Sequence, residues 1–148
     1  MAVTVGLRPG EMLALHWSDV DLEVGTLRIN RALSDGEFGT PKTPRSRRTI
    51  ELSYTARATL RTHRKRQLEE RMQKAGLWQD YGLVFPSSVG TPLSHRNVVR
   101  LFKALLKRAG LPVGTRLYDL RHTCATLLLN DNVHPKYVQE LLDGCCEV

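Results

Sequence analysis

Cysteine is scarce in this chain, three among 148 residues, and Cys124, Cys145 and Cys146 cannot build the disulfide framework of a small secreted domain. No Cys-x-x-Cys pair occurs and the five histidines (His16, His63, His95, His122, His134) are dispersed, so a structural metal has no sequence support. No apolar run approaches the roughly 20 residues of a membrane span, and Met1 to Arg8 lacks the apolar core of a signal peptide. A P-loop, a dinucleotide-binding glycine fingerprint, a Gly-x-Ser-x-Gly elbow and a His-Glu-x-x-His helix are all missing. Acidic residues are few outside helix starts and turns, which weighs against Mg²⁺-dependent phosphoryl chemistry. The expectations are no cofactor, no metal, no membrane and no small-molecule substrate.

What is present is basic charge. The composition, 41% hydrophobic and 25% charged, is that of an ordinary globular domain, with 22 Lys+Arg against 15 Asp+Glu and a net charge of +7. Residues 1–40 carry three basic and six acidic residues, a net of −3. Residues 41–75 carry eleven basic and three acidic, a net of +8, and residues 76–148 carry eight and six, a net of +2. Local basic density of this kind is the electrostatic footprint of a polyanion partner, although a basic run on a helix is also commonly a solvated face. The few aromatics do not interleave with the basic residues as they would for stacking on RNA bases.

The pattern predicts a mainly helical α+β domain with a small antiparallel sheet. Pro9 opens a helix whose apolar face is Met12, Leu13, Leu15 and Trp17. Thr26–Asn30 and Arg47–Leu52 alternate as strands, joined through a polar loop, 34–40, and the basic stretch 41–46. A long polar helix spans Ala56 to Lys74, with Ala56, Leu60, Arg64 and Leu68 on one stripe. Gly82–Phe85 is a short strand closed by Pro86. Ser94 caps a helix running to Ala109, Leu120–Leu129 is an apolar helix, and His134-Pro135 opens the last one.

Three basic side chains stand where charge has no packing explanation. Arg8 lies in a turn between Gly6 and Gly10, where a backbone can approach a partner closely. Arg121 starts an otherwise apolar helix. Two guanidinium forks could clamp a phosphodiester and stabilise added charge in its transition state. Lys42, between the two strands, could reach the same phosphate or protonate a leaving oxygen.

In order along the chain, these residues sit in recognisable motifs. Gly6-Leu-Arg8-Pro-Gly-Glu11 with Leu13-Ala-Leu-His-Trp17-Ser-Asp-Val-Asp21 resembles the first arginine box of tyrosine recombinases of the phage-integrase family. Pro41-Lys42-Thr43 with Ser46-Arg-Arg-Thr-Ile50 resembles the lysine-bearing hairpin, and Leu83-Val-Phe85-Pro with Gly90-Thr-Pro-Leu93 the segment after it. Asp119-Leu-Arg121-His122-Thr123 resembles the second arginine box, and Tyr137-Val-Gln-Glu-Leu-Leu142 the helix before the third.

The resemblance implies that DNA strands are cut and rejoined through a 3′-phosphotyrosine, without metal or nucleotide. It implies that Arg8 and Arg121 clamp the phosphate and that Lys42 is the general acid. Arg45, Arg47, Arg48 and Lys65 are expected to contact DNA. The implied partners are double-stranded DNA and other recombinase protomers, in a cytoplasmic, nucleoid-associated setting.

Two departures stand out. Tyr118 occupies the family's usual histidine position, and a phenol with pKa near ~10 exchanges protons poorly at neutrality. After Leu142 the chain reads Asp143-Gly144-Cys145-Cys146, with Gly144 at the third box's histidine place. Tyr54, Tyr81 and Tyr137 do not match the nucleophile's position. The expectation is therefore residues 1–148 as one incomplete catalytic domain, without a core-binding domain and without its nucleophile, inactive alone. The alternatives are a remnant that only binds DNA and an unrelated basic nucleic-acid-binding module.

Overall fold

The computed structural model describes residues 1–34, 36–39 and 47–143. In chain order the elements are α1 (Ala2–Val5), α2 (Pro9–Leu13), a 3₁₀ turn (Trp17–Asp19), β1 (Val20–Asp21), β2 (Thr26–Ile29), β3 (Ala32–Ser34), β4 (Glu37–Gly39), β5 (Arg48–Glu51), α3 (Tyr54–Gln73), α4 (His95–Arg108), α5 (Asp119–Asn130) and α6 (Pro135–Asp143). The α+β class, helical with small antiparallel sheets, is as the pattern predicted. No helix among the described residues is long and apolar enough to cross a membrane.

The main sheet has the order β1-β2-β5, all antiparallel, with Leu27 opposite Ile50 and Ile29 opposite Arg48. Alternation turns Leu27, Ile29 and Ile50 inward and leaves Arg28, Thr49 and Glu51 outside. The inward face joins Val5, Leu7, Leu15, Val20, Leu52, Ala56, Leu60 and Val84 in one core.

Helix α3 begins where Ser53 Oγ accepts from Ala56 N at 3.2 Å, and its buried positions are Ala56, Leu60 and Gln67. Arg64 and Leu68 leave the predicted stripe. Each four-residue step over-rotates by about 40°, so Leu68 stands about 120° from Ala56 while Gln67 returns to within about 20°. Leu68 is accordingly half-exposed and Arg64 covers the Trp17 ring at 5.2 Å.

Further expectations are corrected. The stretch from Ser34 to Gly39 is not plain loop: β3 and β4 pair as a hairpin, with Gly36 at φ 87. The sequence signal for it was the Asp35-Gly36 dipeptide. Gly82–Phe85 is not a strand. It makes one bridge, Leu83 to His16, with Val84 N donating to Leu15 O at 2.8 Å. Its outer carbonyls are occupied by α3 instead: Gln67 Nε2 donates to Leu83 O at 3.0 Å, and His63 Nε2 meets Val84 O at 2.6 Å. Gln67 Oε1 also accepts from Trp17 Nε1 at 2.6 Å, so one side chain fixes both the 3₁₀ turn and this segment. The first predicted helix likewise stops early, at Leu13, which lets His16 extend to make that bridge. Ser94 does precede α4, but its side chain makes no capping bond.

Candidate active site

Arg8 is placed by a turn and a short helix. Gly6 ends α1 in the left-handed region, at φ 66, where a Cβ would run into the Leu142 side chain and touch Cys124. Leu7, 1% exposed, pins the turn to the core, and Arg8 precedes Pro9 at the start of α2. Glu11, three residues on, closes back: its Oε2 accepts from Arg8 N at 2.9 Å and its Oε1 from Arg8 Nη1 at 2.9 Å. The carboxylate thus serves the helix start and the guanidinium together.

The same carboxylate holds a second arginine. Arg48, its side chain 5% exposed, donates from Nη1 and Nη2 to the two Glu11 oxygens, each at 3.0 Å, and from Nε to Leu141 O at 2.9 Å. Arg121, 4% exposed in the first turn of α5, donates to Gly6 O at 2.6 Å and to Leu142 O. Two guanidiniums therefore take the last carbonyls of α6, where a helix end favours positive charge.

The electrostatics follow from three guanidiniums around Glu11. Burial, then repulsion from Arg8 and Arg48, holds Arg121 below the ordinary guanidinium range. Burial alone would lower Arg8 too, but its bonds to Glu11 and to the Tyr118 hydroxyl raise it. Burial would raise Glu11, yet the hydrogen bonds and charge of Arg48, then those of Arg8, bring it below the ordinary carboxylate range. A depressed folded pKa contributes stability that is complete above the unfolded value, about 4.3, and is lost as pH falls through the lower folded one. Melting temperature should therefore drop as pH falls below about 4.3, and less so in Glu11→Gln. An identical pH slope in that variant would contradict this account.

The structure brings Arg8, Arg121 and Tyr118 together. Tyr118, half-exposed just before α5, meets Arg8 through its hydroxyl and stands edge-on to His122 at 5.4 Å between ring centroids. Lys42 and Arg45 lie outside the described residues. Arg47 is exposed at the entry to β5, and Lys65 is exposed on α3 opposite its buried positions. Arg48 faces inward rather than outward. The signal for that was parity: it alternates with Ile50 and Leu52, which share the core face. Glu11 was missed as a partner although its i,i+3 spacing from Arg8 at a helix start is the pattern of reciprocal capping.

Much of the basic run 41–75 closes contacts within the chain. Arg57 donates to Leu22 O and Glu23 O, Arg61 pairs with Glu23 at 3.0 Å and Arg71 with Asp80 at 2.8 Å. Among the described residues no three His, Cys, Asp or Glu side chains gather to hold a metal ion.

Beside Arg8 and Tyr118 opens a cleft of about 940 Å³, bounded by the start of α2, the β3–β4 hairpin, α4 and residues 115–118. Close packing shapes one wall: a Cβ on Gly10 would lie 2.7 Å from Leu33 O.

Comparison with known proteins gives a consistent picture. The model of the phage integrase family matches residues 1–143. A tyrosine recombinase XerC-like protein of Caldanaerobacter subterraneus subsp. tengcongensis is 34% identical over 96% of this chain and 40% of its own length. The prophage integrase IntR of Escherichia coli (strain K12) is 34% identical over 93% of this chain and 37% of its own. The chain thus spans about two-fifths of the length of these curated relatives. In fold it is similar to the Tn1549 transposon integrase, solved in complex with transposon right end DNA, at a TM-score of 0.80 and 21% identity over 99% of this chain and 49% of that one. It is also similar to the XerH site-specific recombinase bound to its difH substrate, at a TM-score of 0.65 and 25% identity over 99% of this chain and 38% of that one.

Proposed function

Because the chain belongs to the phage integrase family, we propose that it acts on duplex DNA, gripping one backbone phosphate for strand cleavage and rejoining through a 3′-phosphotyrosine. Membership in the family sets aside the unrelated basic module. The observation that supports the reading is the clustering of Arg8, Arg48 and Arg121 around the single carboxylate of Glu11, an excess of positive charge beside an open cleft.

In this reading each guanidinium has a part set by its surroundings. Arg8, a third exposed, offers donors to a non-bridging phosphate oxygen. Arg121 faces the same oxygens from a rigid mount, its fork already oriented by Gly6 O and Leu142 O. Arg48 does not contact the phosphate; it orients Glu11, which orients Arg8. A tyrosine oxygen attacks phosphorus as its own proton passes to solvent, the 5′-oxygen leaves with a proton from Lys42, and rejoining reverses both steps. That tyrosine is supplied from outside residues 1–148, and a second protomer is one source for it.

DNA binding without cleavage is the second reading. It is favoured by Tyr118, whose phenol stands at Arg8 where an imidazole would exchange protons more readily near neutrality. A nicked suicide duplex separates the possibilities. The chain alone should form no covalent adduct, and an adduct mapped to any of its tyrosines, Tyr118 included, would overturn the assignment of the nucleophile. Duplex affinity should fall steeply with salt, as phosphate contacts release counterions, and fall further in Arg8→Ala. Salt-independent binding would sink the DNA reading.

A further inference from the structure

We propose that the groove beside the C-terminal half of α3 is a docking site for an amphipathic helix of a partner protein, apolar on the side laid against Leu68, Met72 and Trp78 and carrying an acidic residue that meets Arg64. The proposal is independent of the DNA reading, since the groove shares no lining residue with the cleft beside Arg8.

Two adjoining depressions, of about 210 and 460 Å³, share Leu68, Arg71, Trp78 and Asp80 and so form one groove. The over-rotation of α3 that carries Leu68 off the buried face opens it: Leu68 is 50% exposed and Met72 79%. The opposite wall is tightly built. Leu77 N and Trp78 N donate to Lys74 O at 2.8 and 2.9 Å, Gln79 N donates to Val89 O at 2.9 Å, and a Cβ on Gly90 would strike Gln79 O and the Trp78 ring. Trp78 is thus held in place before anything binds, which spares a partner the cost of ordering it. Trp, Tyr, Met and Arg are enriched where proteins bury surface against each other, and Trp17, Trp78, Tyr81, Met72, Arg64 and Arg71 all stand here.

Charge points to the occupant. Asp80 is already taken, by Arg71 at 2.8 Å and by Gly82 N at 3.0 Å. Arg64 is exposed, lies 5.2 Å over the Trp17 ring, and pairs with no carboxylate among the described residues. The carboxylates of the cleft on its other flank are engaged: Asp19 with Arg31, Asp21 with Glu23 N and Val24 N, and Glu23 with Arg61. The groove therefore calls for one negative charge at the edge of an apolar floor. Arg64 and Ala75 both line it, so it follows about 16 Å of α3, or about three helical turns. A helix lying along it sets an apolar residue every three or four positions against Leu68, Met72 and Ala75, ridge into groove. That aliphatic wall gives nucleic-acid bases nothing to stack on, and Asp80 opposes a phosphate chain.

The chain's two tryptophans, Trp17 and Trp78, both line the groove and report its occupancy. Helical peptides of about 16 residues, long enough for three turns, are selected from a display library on the whole chain. Those that also bind an Arg64→Glu/Met72→Glu variant are first removed. Both positions are exposed, so the variant should keep the fold, which a thermal melt checks. The recovered peptides should carry apolar residues at i, i+4 and i+7 with Asp or Glu beside them. Titrating one should shift tryptophan emission to the blue and saturate, and the variant should show no shift. Replacing the peptide's acidic residue by Lys should weaken binding by about tenfold or more. Recovered peptides without acidic residues, a Lys form that binds as tightly, or displacement by duplex DNA overturns the proposal. So does a blue shift that grows with chain concentration alone, which makes a second copy the occupant, and so does tighter binding of a single-stranded RNA. Failure to recover any peptide beyond those bound by the variant overturns it too.

Discussion

Replacing Glu11 with Ala should destabilise the chain by about 3–5 kcal/mol, because it strands a buried charge. Glu11 is 3% exposed and the Arg48 side chain 5%, so neither solvent nor counterions can take over the lost bonds. Arg48 would lose both of its bonds to Glu11 while keeping the one to Leu141 O, and Arg121 would face two guanidiniums without the intervening carboxylate. The loss is a large fraction of the roughly 5–15 kcal/mol that holds a typical domain together. Denaturant melts of Glu11→Ala, Arg48→Met and the double variant form a cycle that isolates the pair. The double variant should recover much of the stability, since a buried ion pair exchanged whole for apolar side chains is often neutral. If it is no more stable than Glu11→Ala, the pair is not the source of the cost.

Arg121→Ala should lower duplex affinity by about 100-fold, the expected size when a charge-assisted contact worth roughly 1.5–3 kcal/mol disappears. Stability should fall as well, because Gly6 O loses its buried donor and the end of α6 loses its anchor. Arg121→Lys separates the two effects. A lysine keeps the charge, and with it the salt slope, but cannot hold Gly6 O, Leu142 O and a phosphate at once. Its affinity should lie between the other two proteins at every salt concentration. Affinity in Arg121→Lys equal to that of the unaltered chain would mean that the fork serves the fold and not the phosphate.

Arg8 and Arg121, which the structure brings together, were legible in the sequence because each sits in a dense, ordered motif. Arg48 was not, because a basic residue beside Arg47 in a charged stretch suggests a surface. Only the strand's alternation with Ile50 and Leu52 places it inside. A similar ambiguity affected α3, where a four-residue repeat gave Ala56 and Leu60 correctly and then drifted off the buried face before Leu68. The inward turn of Gln67 could not be anticipated from polarity. It is held by two partners, Trp17 and Leu83, that lie 50 and 16 residues away. Helix α4 carries five basic and no acidic residues in its 14, a denser excess than in 41–75, but the net of +2 over 76–148 conceals it, whereas in 41–75 Arg57, Arg61 and Arg71 are engaged with the chain itself.

Gly6 turns this geometry into a genetic constraint. Its left-handed backbone angle and the approach of the Leu142 side chain disfavour any side chain there, while its carbonyl seats Arg121. A lineage released from selection for the proposed strand cleavage can change Arg8, a third exposed, and keep a folded protein. Change at Gly6 strains the turn that seats Arg121, and so costs stability as well as the site. Natural variants that have drifted at Arg8 while retaining Gly6 and Glu11 would mark a gene still selected for its product after the reaction is gone.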